Sequence, residues 1–197
     1  MYKLMEKDVK KAAAVLDDAF QFEPIWKVIL KGKSREQGAA WFSSPVRYCM
    51  VYGSAYAPSS EIEGFIGYLP SEYAEMTLGR MLRARTMRGT RKAGLSPVFR
   101  MAPLAILGKH RKEYMKDRKH LYVIILGVAQ KHQRQGFGSK LIRHVIAESE
   151  KTGLPIYLET STDENVAFYK SLGFRVIDKI TIPKMNLPQY ELIREPK

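Results

Sequence analysis

From Gln133 to Gly138 the chain reads Gln-Arg-Gln-Gly-Phe-Gly, and residues of this kind do their chemistry with the main chain. Gly136 and Gly138 lack a Cβ, so a bulky anion can come close to the backbone. A glycine-bearing turn that opens into a helix presents unpaired N–H groups where the helix dipole also favours negative charge. The chemistry on offer is the binding of a phosphate or diphosphate. Spacing excludes two widespread cradles. A dinucleotide fingerprint, G-x-G-x-x-G, lacks its third glycine here. A Walker loop needs G-K-[ST], whereas Gly138 is followed by Ser139-Lys140, and the upstream glycine is missing.

Two elements must position such a turn. Leu121 to Val128 is a run rich in β-branched residues, suited to a buried strand. After the turn, Leu141, Ile142, Val145 and Ile146 fall at helical spacing on one apolar stripe. A second strand and helix follow. Pro155 to Thr160 reads as a short strand, and Asn165 to Gly173 as a helix with Thr162, Asp163 and Asn165 as N-cap choices. Gly173 stands where a left-handed C-cap belongs.

The hexapeptide Gln133-x-x-Gly136-x-Gly138, followed in order by Asn165-x-x-Phe168-Tyr169-x-x-Leu172-Gly173-Phe174, resembles the GNAT N-acetyltransferase superfamily. The longer runs, Gly-x-Pro-x-x-Leu-Glu-Thr-Ser and a closing Arg-Glu-Pro among them, look most like the puromycin N-acetyltransferase group. The likeness covers about residues 121 to 196, with a weaker match in the first helix, and leaves the middle of the chain uncovered. It implies a mixed, mostly antiparallel α/β sheet flanked by helices, the acyl-CoA N-acyltransferase fold, with splayed central strands. It also implies acetyl-CoA as cosubstrate, no metal, and direct attack by a primary amine of a small molecule in a ternary complex.

By the same resemblance, the backbone of Arg134, Gln135, Gly136, Phe137, Gly138 and Ser139 holds the diphosphate, with Gln133 shaping the loop. Leu126 and Val128 lie where the family pairs a strand with the pantetheine arm. Asn165 matches a cofactor contact or, on its own chemistry, a helix cap. Tyr169 matches the family's general acid; a phenol stays protonated at neutral pH and can donate to a departing thiolate. Phe168 packs on the strand below.

The general base is harder to place. Many relatives carry Glu or His on the long strand, but the matching positions here are Tyr122 and Ile124. His120 lies on that strand face, further from the loop. Glu159 on the next strand is the best carboxylate, either as base or as a partnered structural group. Loss of the proton to water would need neither. The acceptor candidates are Phe22, Trp26 and Tyr122, and Trp41 beside them; the alternative for the first-helix aromatics is that they plug the core.

Composition narrows the rest. At 45% hydrophobic and 27% charged residues, the chain is expected to be one globular domain over 1–197. Within it the resemblance implies a cofactor-binding core at 121–174 and a variable basic, partly helical insertion at about 71–119. Cys49 is the single cysteine, read as a buried thiol inside a strand over Tyr48 to Tyr56. No apolar leader or membrane-length stretch is visible, so a cytoplasmic protein off the membrane is expected, and the resemblance implies a monomer or homodimer. Net charge is +13, concentrated between Arg80 and Lys119, where 13 Lys or Arg face two acids. That block reads as a solvated helical face or as a means of steering anions. A non-catalytic nucleic-acid module on the same scaffold is the alternative, disfavoured because Phe99 and Tyr114 are too sparse for a stacking platform.

The remaining elements are a helix after Asp8, broken at Gln21–Pro24, and a strand over Glu63 to Leu69. Gly89, Gly94, Pro97 and Pro103 are expected as breaks, and strands over Phe174–Ile182 and Gln189–Arg194 close the chain.

Overall fold

A computed structural model describes residues 1–197. Strand β1 (Tyr2–Lys3) leads into α1 (Val9–Phe20), α2 (Pro24–Ile29) and the long α3 (Arg35–Tyr52). Strands β2 (Ser54–Ala57) and β3 (Gly64–Pro70) follow, then four short helices: α4 (Leu78–Arg83), α5 (Met87–Ala93), α6 (Ser96–Met101) and α7 (Ala105–Met115). The second half holds β4 (Leu121–Val128), α8 (Phe137–Thr152), β5 (Ile156–Thr160), α9 (Asp163–Lys170), β6 (Arg175–Ile182) and β7 (Leu187–Arg194). The seven strands form one sheet in the order β1-β2-β3-β4-β5-β7-β6. Only the β4–β5 pair is parallel, and it is short: its ladder ends at Val123 and Leu158, after which the two strands part. Each keeps its other neighbour, β3 as far as Val128 and β7 as far as Thr160.

The sheet carries a core on each face. On one, Leu121, Val123, Ile156, Leu158 and Leu192 pack against Leu141, Ile142 and Val145 of α8 and Val166 and Tyr169 of α9. On the other, α1 and α3 bury Leu16, Trp41, Phe42 and Val46 with Phe65 and Leu69. Further along that second face, Met115 of α7 covers Tyr157 and Ile193. No helix is long and apolar enough to cross a membrane.

Three expectations change. The strand expected over Tyr48 to Tyr56 is mostly helix: α3 runs through Tyr52, and β2 begins only at Ser54. The alternating large residues Tyr48, Met50 and Tyr52 mimic a strand, yet the stripe Trp41, Phe42, Val46 and Cys49 is buried at helical spacing. The start signal lies further upstream, where Ser34 and Gln37 form a reciprocal capping box. Cys49 is fully buried as expected, but inside a helix, and burial pushes its thiol pKa far up. Gly89 does not break a helix; it lies within α5, where a Cβ would come 2.3 Å from the Ala40 carbonyl oxygen, so it permits α5 to rest on α3. The breaks at Gly94, Pro97 and Pro103 fall between or at the starts of helices.

The basic segment is largely tied down. Arg80 donates to the carbonyls of Glu72 and Glu75, Arg100 to those of Ile29 and Lys31, and Lys92 pairs with Glu36 at 2.6 Å. Lys112 pairs with Glu75 and Arg118 with Glu195.

Candidate active site

The turn after β4 has the form the glycines suggested. Arg134 and Gly136 have positive φ of 60° and 83°, and Gly136 is the residue ahead of α8. An added Cβ on Gly136 would meet nothing within 4 Å, so the turn is open on that side. The backbone N–H groups from Arg134 to Ser139 make no hydrogen bond within the chain; the first amide to do so is Lys140, which donates to Gly136. Gln133 Nε2 donates to the Val128 carbonyl at 3.1 Å and pins the turn to the end of β4. Gln135 folds back on Lys131, and Lys140 reaches the Pro58 carbonyl at 3.1 Å. A concave run of amides at a helix start suits an anion such as the diphosphate of acetyl-CoA.

Beyond Val123 the β5-facing edge of β4 has no strand partner, and Leu126 and Val128 lie on that stretch. The corner between α1 and α2 spans the opening. Asp18 accepts from Gln130 N at 2.7 Å, just past β4. Glu23 accepts from Ser161 Oγ at 2.9 Å and from Asn165 Nδ2 at 3.2 Å, just past β5. Asn165 therefore does not cap its helix; Thr162 does, accepting from Asn165 N at 3.2 Å.

Tyr169 and Glu159 sit on opposite faces of the sheet beside this opening. The Tyr169 ring is buried edge-on to Phe168 and Phe174, at centroid distances of 5.1 and 5.4 Å. Burial, with the Glu23 carboxylate adding to it, holds its phenol pKa above the ordinary value. Glu159 is the first β5 residue past the parallel ladder, and its side chain is 7% exposed. It shares a face with Tyr157 and, across the ladder, with Tyr122. Arg111 of α7 caps this group, with its guanidinium 4.2 Å from the Tyr122 ring centroid. Its Nη1 lies 3.7 Å from Glu159 Oε1, an oxygen that accepts no hydrogen bond. Burial raises the Glu159 carboxyl to about 7, with Arg111 and the Tyr122 hydroxyl pulling the other way. A carboxyl poised there can take a proton near neutral pH.

Of the other candidates, Trp26 packs on Phe42 at 4.8 Å and Phe20 at 5.7 Å, and Trp41 lies in the same core. Phe22 is 65% exposed, with Lys27 Nζ 5.6 Å from its ring, outside the Tyr122–Glu159 group. His120 is buried; its Nδ1 lies 2.8 Å from the Arg118 carbonyl, and burial depresses its pKa. Glu23 and Arg111 were not singled out by their sequence context. Arg111 is one cation among thirteen in its block, and only the packing of α7 on the sheet distinguishes it.

The fold is that of the GNAT acetyltransferases, a mixed seven-stranded sheet flanked by helices and parted between β4 and β5. The model of the Acetyltransferase (GNAT) family matches residues 101–174, which include the turn, Glu159 and Tyr169. An uncharacterised N-acetyltransferase of Schizosaccharomyces pombe is 26% identical over 204 residues, covering 97% of this chain and 81% of its own length. N-alpha-acetyltransferase 50 of Danio rerio is 29% identical over 72 residues, covering 34% of this chain and 43% of that protein. Among solved structures, that of histone acetyltransferase HPA2 and related acetyltransferase from Corynebacterium glutamicum superposes with a TM-score of 0.68 at 20% identity, covering 99% of this chain and 94% of the other. The chain is thus similar to GNAT acetyltransferases in sequence over residues 101–174 and in fold over nearly its whole length.

Proposed function

We propose that this protein is an acetyl-CoA-dependent N-acetyltransferase acting on a primary amine of a small molecule. The observation that carries the reading is the unbroken run of unpartnered amides, Arg134 to Ser139, at the head of α8 beside the parted strands. Acetyl-CoA, when bound, supplies the acetyl thioester. The turn's N–H groups would hold its diphosphate, and the free β4 edge at Leu126 and Val128 offers strand-like pairing to an extended chain. Glu159 takes the proton from the acceptor ammonium, so that the attacking nitrogen has a free electron pair. As the new C–N bond forms and the C–S bond breaks, Tyr169, on the opposite face, would give its phenolic proton to the departing sulfur, and the second nitrogen proton would pass to water, from which the phenolate recovers its own. A proton is then taken up on one side of the sheet and released on the other.

A small acceptor is favoured by α7, whose Arg111 and Met115 close the face on which Glu159 and Tyr122 lie. A peptide N-terminus is the second reading, favoured by the likeness to N-alpha-acetyltransferase 50. The narrower likeness to the puromycin N-acetyltransferase group rests on the motif runs alone and points to aminonucleosides as first substrates to try.

The test is release of free thiol from acetyl-CoA in the presence of pooled aminonucleosides, polyamines, aminoglycosides, amino acids and N-terminal peptides. Thermal melting with acetyl-CoA runs alongside, since a ligand of the folded state raises the midpoint. Turnover with a small-amine pool supports the first reading, and turnover confined to peptides supports the second. No thermal response and no turnover defeat both, and salt-dependent binding of labelled RNA or DNA would then favour the nucleic-acid module.

A further inference from the structure

Three acids lie abreast on the sheet face beneath α7. Glu191 of β7 is in register with Glu159 of β5 on one side and Asp178 of β6 on the other. Like charges directly opposite one another on adjacent strands destabilise a sheet, so the row needs a counter-charge. Arg111 serves the Glu159 end. At the other end, His110 Nδ1 lies 3.3 Å from Asp178 Oδ2 and 3.6 Å from Glu191 Oε1. These three donor atoms all lie within 4.8 Å of one another.

We propose that His110, Asp178 and Glu191 form a binding site for one divalent transition-metal ion of the Zn²⁺ type. The two separations from His110 Nδ1, 3.3 and 3.6 Å, suit it, since ligands bound at about 2.0–2.1 Å in a tetrahedron stand about 3.3–3.4 Å apart, and the carboxylates must close from within 4.8 Å. The closing movement falls to Asp178, whose side chain is 48% exposed and has room to turn. The inner ligand is already committed, because Glu191 is 1% exposed and its Oε1 accepts no hydrogen bond from the protein. A buried carboxylate oxygen without a donor is costly to the fold, and a cation bound to it removes that cost.

One imidazole and two carboxylates select a first-row ion over Ca²⁺ or Mg²⁺, which take oxygen donors. His110 is 28% exposed and Asp178 faces solvent, so the ion has an entry path and a fourth position open to water. The ligands come from the inserted helix α7 and the β6–β7 hairpin, so the ion would staple the cover of the Glu159 face to the sheet. The site stands on these residues alone and is independent of the acyl-transfer reading.

The test uses the full chain, free of any affinity tag and stripped with chelator. Zn²⁺ is titrated calorimetrically, and Co²⁺ serves as an optical probe. The expected result is one equivalent of saturable Zn²⁺ binding, a raised melting midpoint, and the visible Co²⁺ bands of a four-coordinate site with a nitrogen ligand. Glu191→Gln, His110→Gln and the exposed Asp178→Asn should each weaken binding by about 100-fold or more, while His132→Gln leaves it unchanged. If Glu191→Gln does not fold, Asp178→Asn and the wild-type Co²⁺ spectrum decide. Absence of saturable binding, or binding that survives Asp178→Asn and His110→Gln, overturns the proposal and leaves a histidine–carboxylate cluster that binds no metal.

Discussion

Arg111 and Glu159 face one another in a buried site without closing a hydrogen bond: Nη1 stands 3.7 Å from Oε1, and both side chains are 7% exposed. A closed, bidentate pair would drive a carboxyl pKa well down. This open one leaves desolvation dominant, and the carboxyl is raised to about 7. A carboxyl raised toward neutral pH by burial therefore lies where β4 and β5 part, and several measurable consequences depend on it.

In the proposed reaction, kcat/KM should rise with pH through an apparent pKa of about 7. Glu159→Gln should lose that limb and most of the rate. A limb that persists unchanged in Glu159→Gln would assign the proton transfer to another group or to water.

The same shift has a stability sign. The Glu159 carboxyl is raised from 4.5 to about 7, so the folded state holds this proton more tightly than the unfolded chain. Its contribution is fully present below about pH 4.5 and lost as pH rises through about 7, a difference of about 3 kcal/mol. Denaturant unfolding of wild type and Glu159→Gln across this range should show the wild type losing stability relative to the variant. Parallel curves would contradict the shift.

Replacing Arg111 with Met removes the cation that partly offsets burial of Glu159. The kinetic limb should move to higher pH by about one unit or more. No movement would mean that the guanidinium does not act on this carboxyl.

Tyr169→Phe keeps the ring that packs against Phe168 and Phe174 and deletes only the hydroxyl. Turnover should fall by about 100-fold or more, the usual scale for losing a general acid. The thermal shift with acetyl-CoA should be retained. Equal turnover across an amine panel would remove Tyr169 from the mechanism.

Two glycines, in α5 and α7, should respond oppositely to alanine. At Gly89 a Cβ would lie 2.3 Å from a backbone carbonyl oxygen of α3 and 2.4 Å from Ser43 Oγ, so α5 must lift, at about 1–3 kcal/mol. At Gly108, inside α7, the nearest atom is Arg111 Nη2 at 4.0 Å, and alanine should stabilise by about 0.5–1 kcal/mol. Melting midpoints that move in the same direction for both would contradict this packing of α5 on α3.

Local chemistry was enough to determine the framework of β4, α8, β5 and α9 in this chain. The turn at Gln133–Gly138, the strand before it, the amphipathic α8, the short β5 and the helix closed by Gly173 each carry their signal within a few consecutive residues. Where local patterns compete, as at Tyr48 to Tyr52, strand-like alternation hid a helix whose cap lies more than a turn upstream. The other side of the opening was decided by tertiary structure alone. Glu23 meets Asn165 across 142 positions of sequence and Arg111 meets Glu159 across two intervening elements. Glu159, Glu191 and Asp178 become neighbours only through strand register. Burial and charge pairing are properties of space rather than of sequence neighbourhood, and they made one basic residue among thirteen, Arg111, the partner of a buried carboxyl.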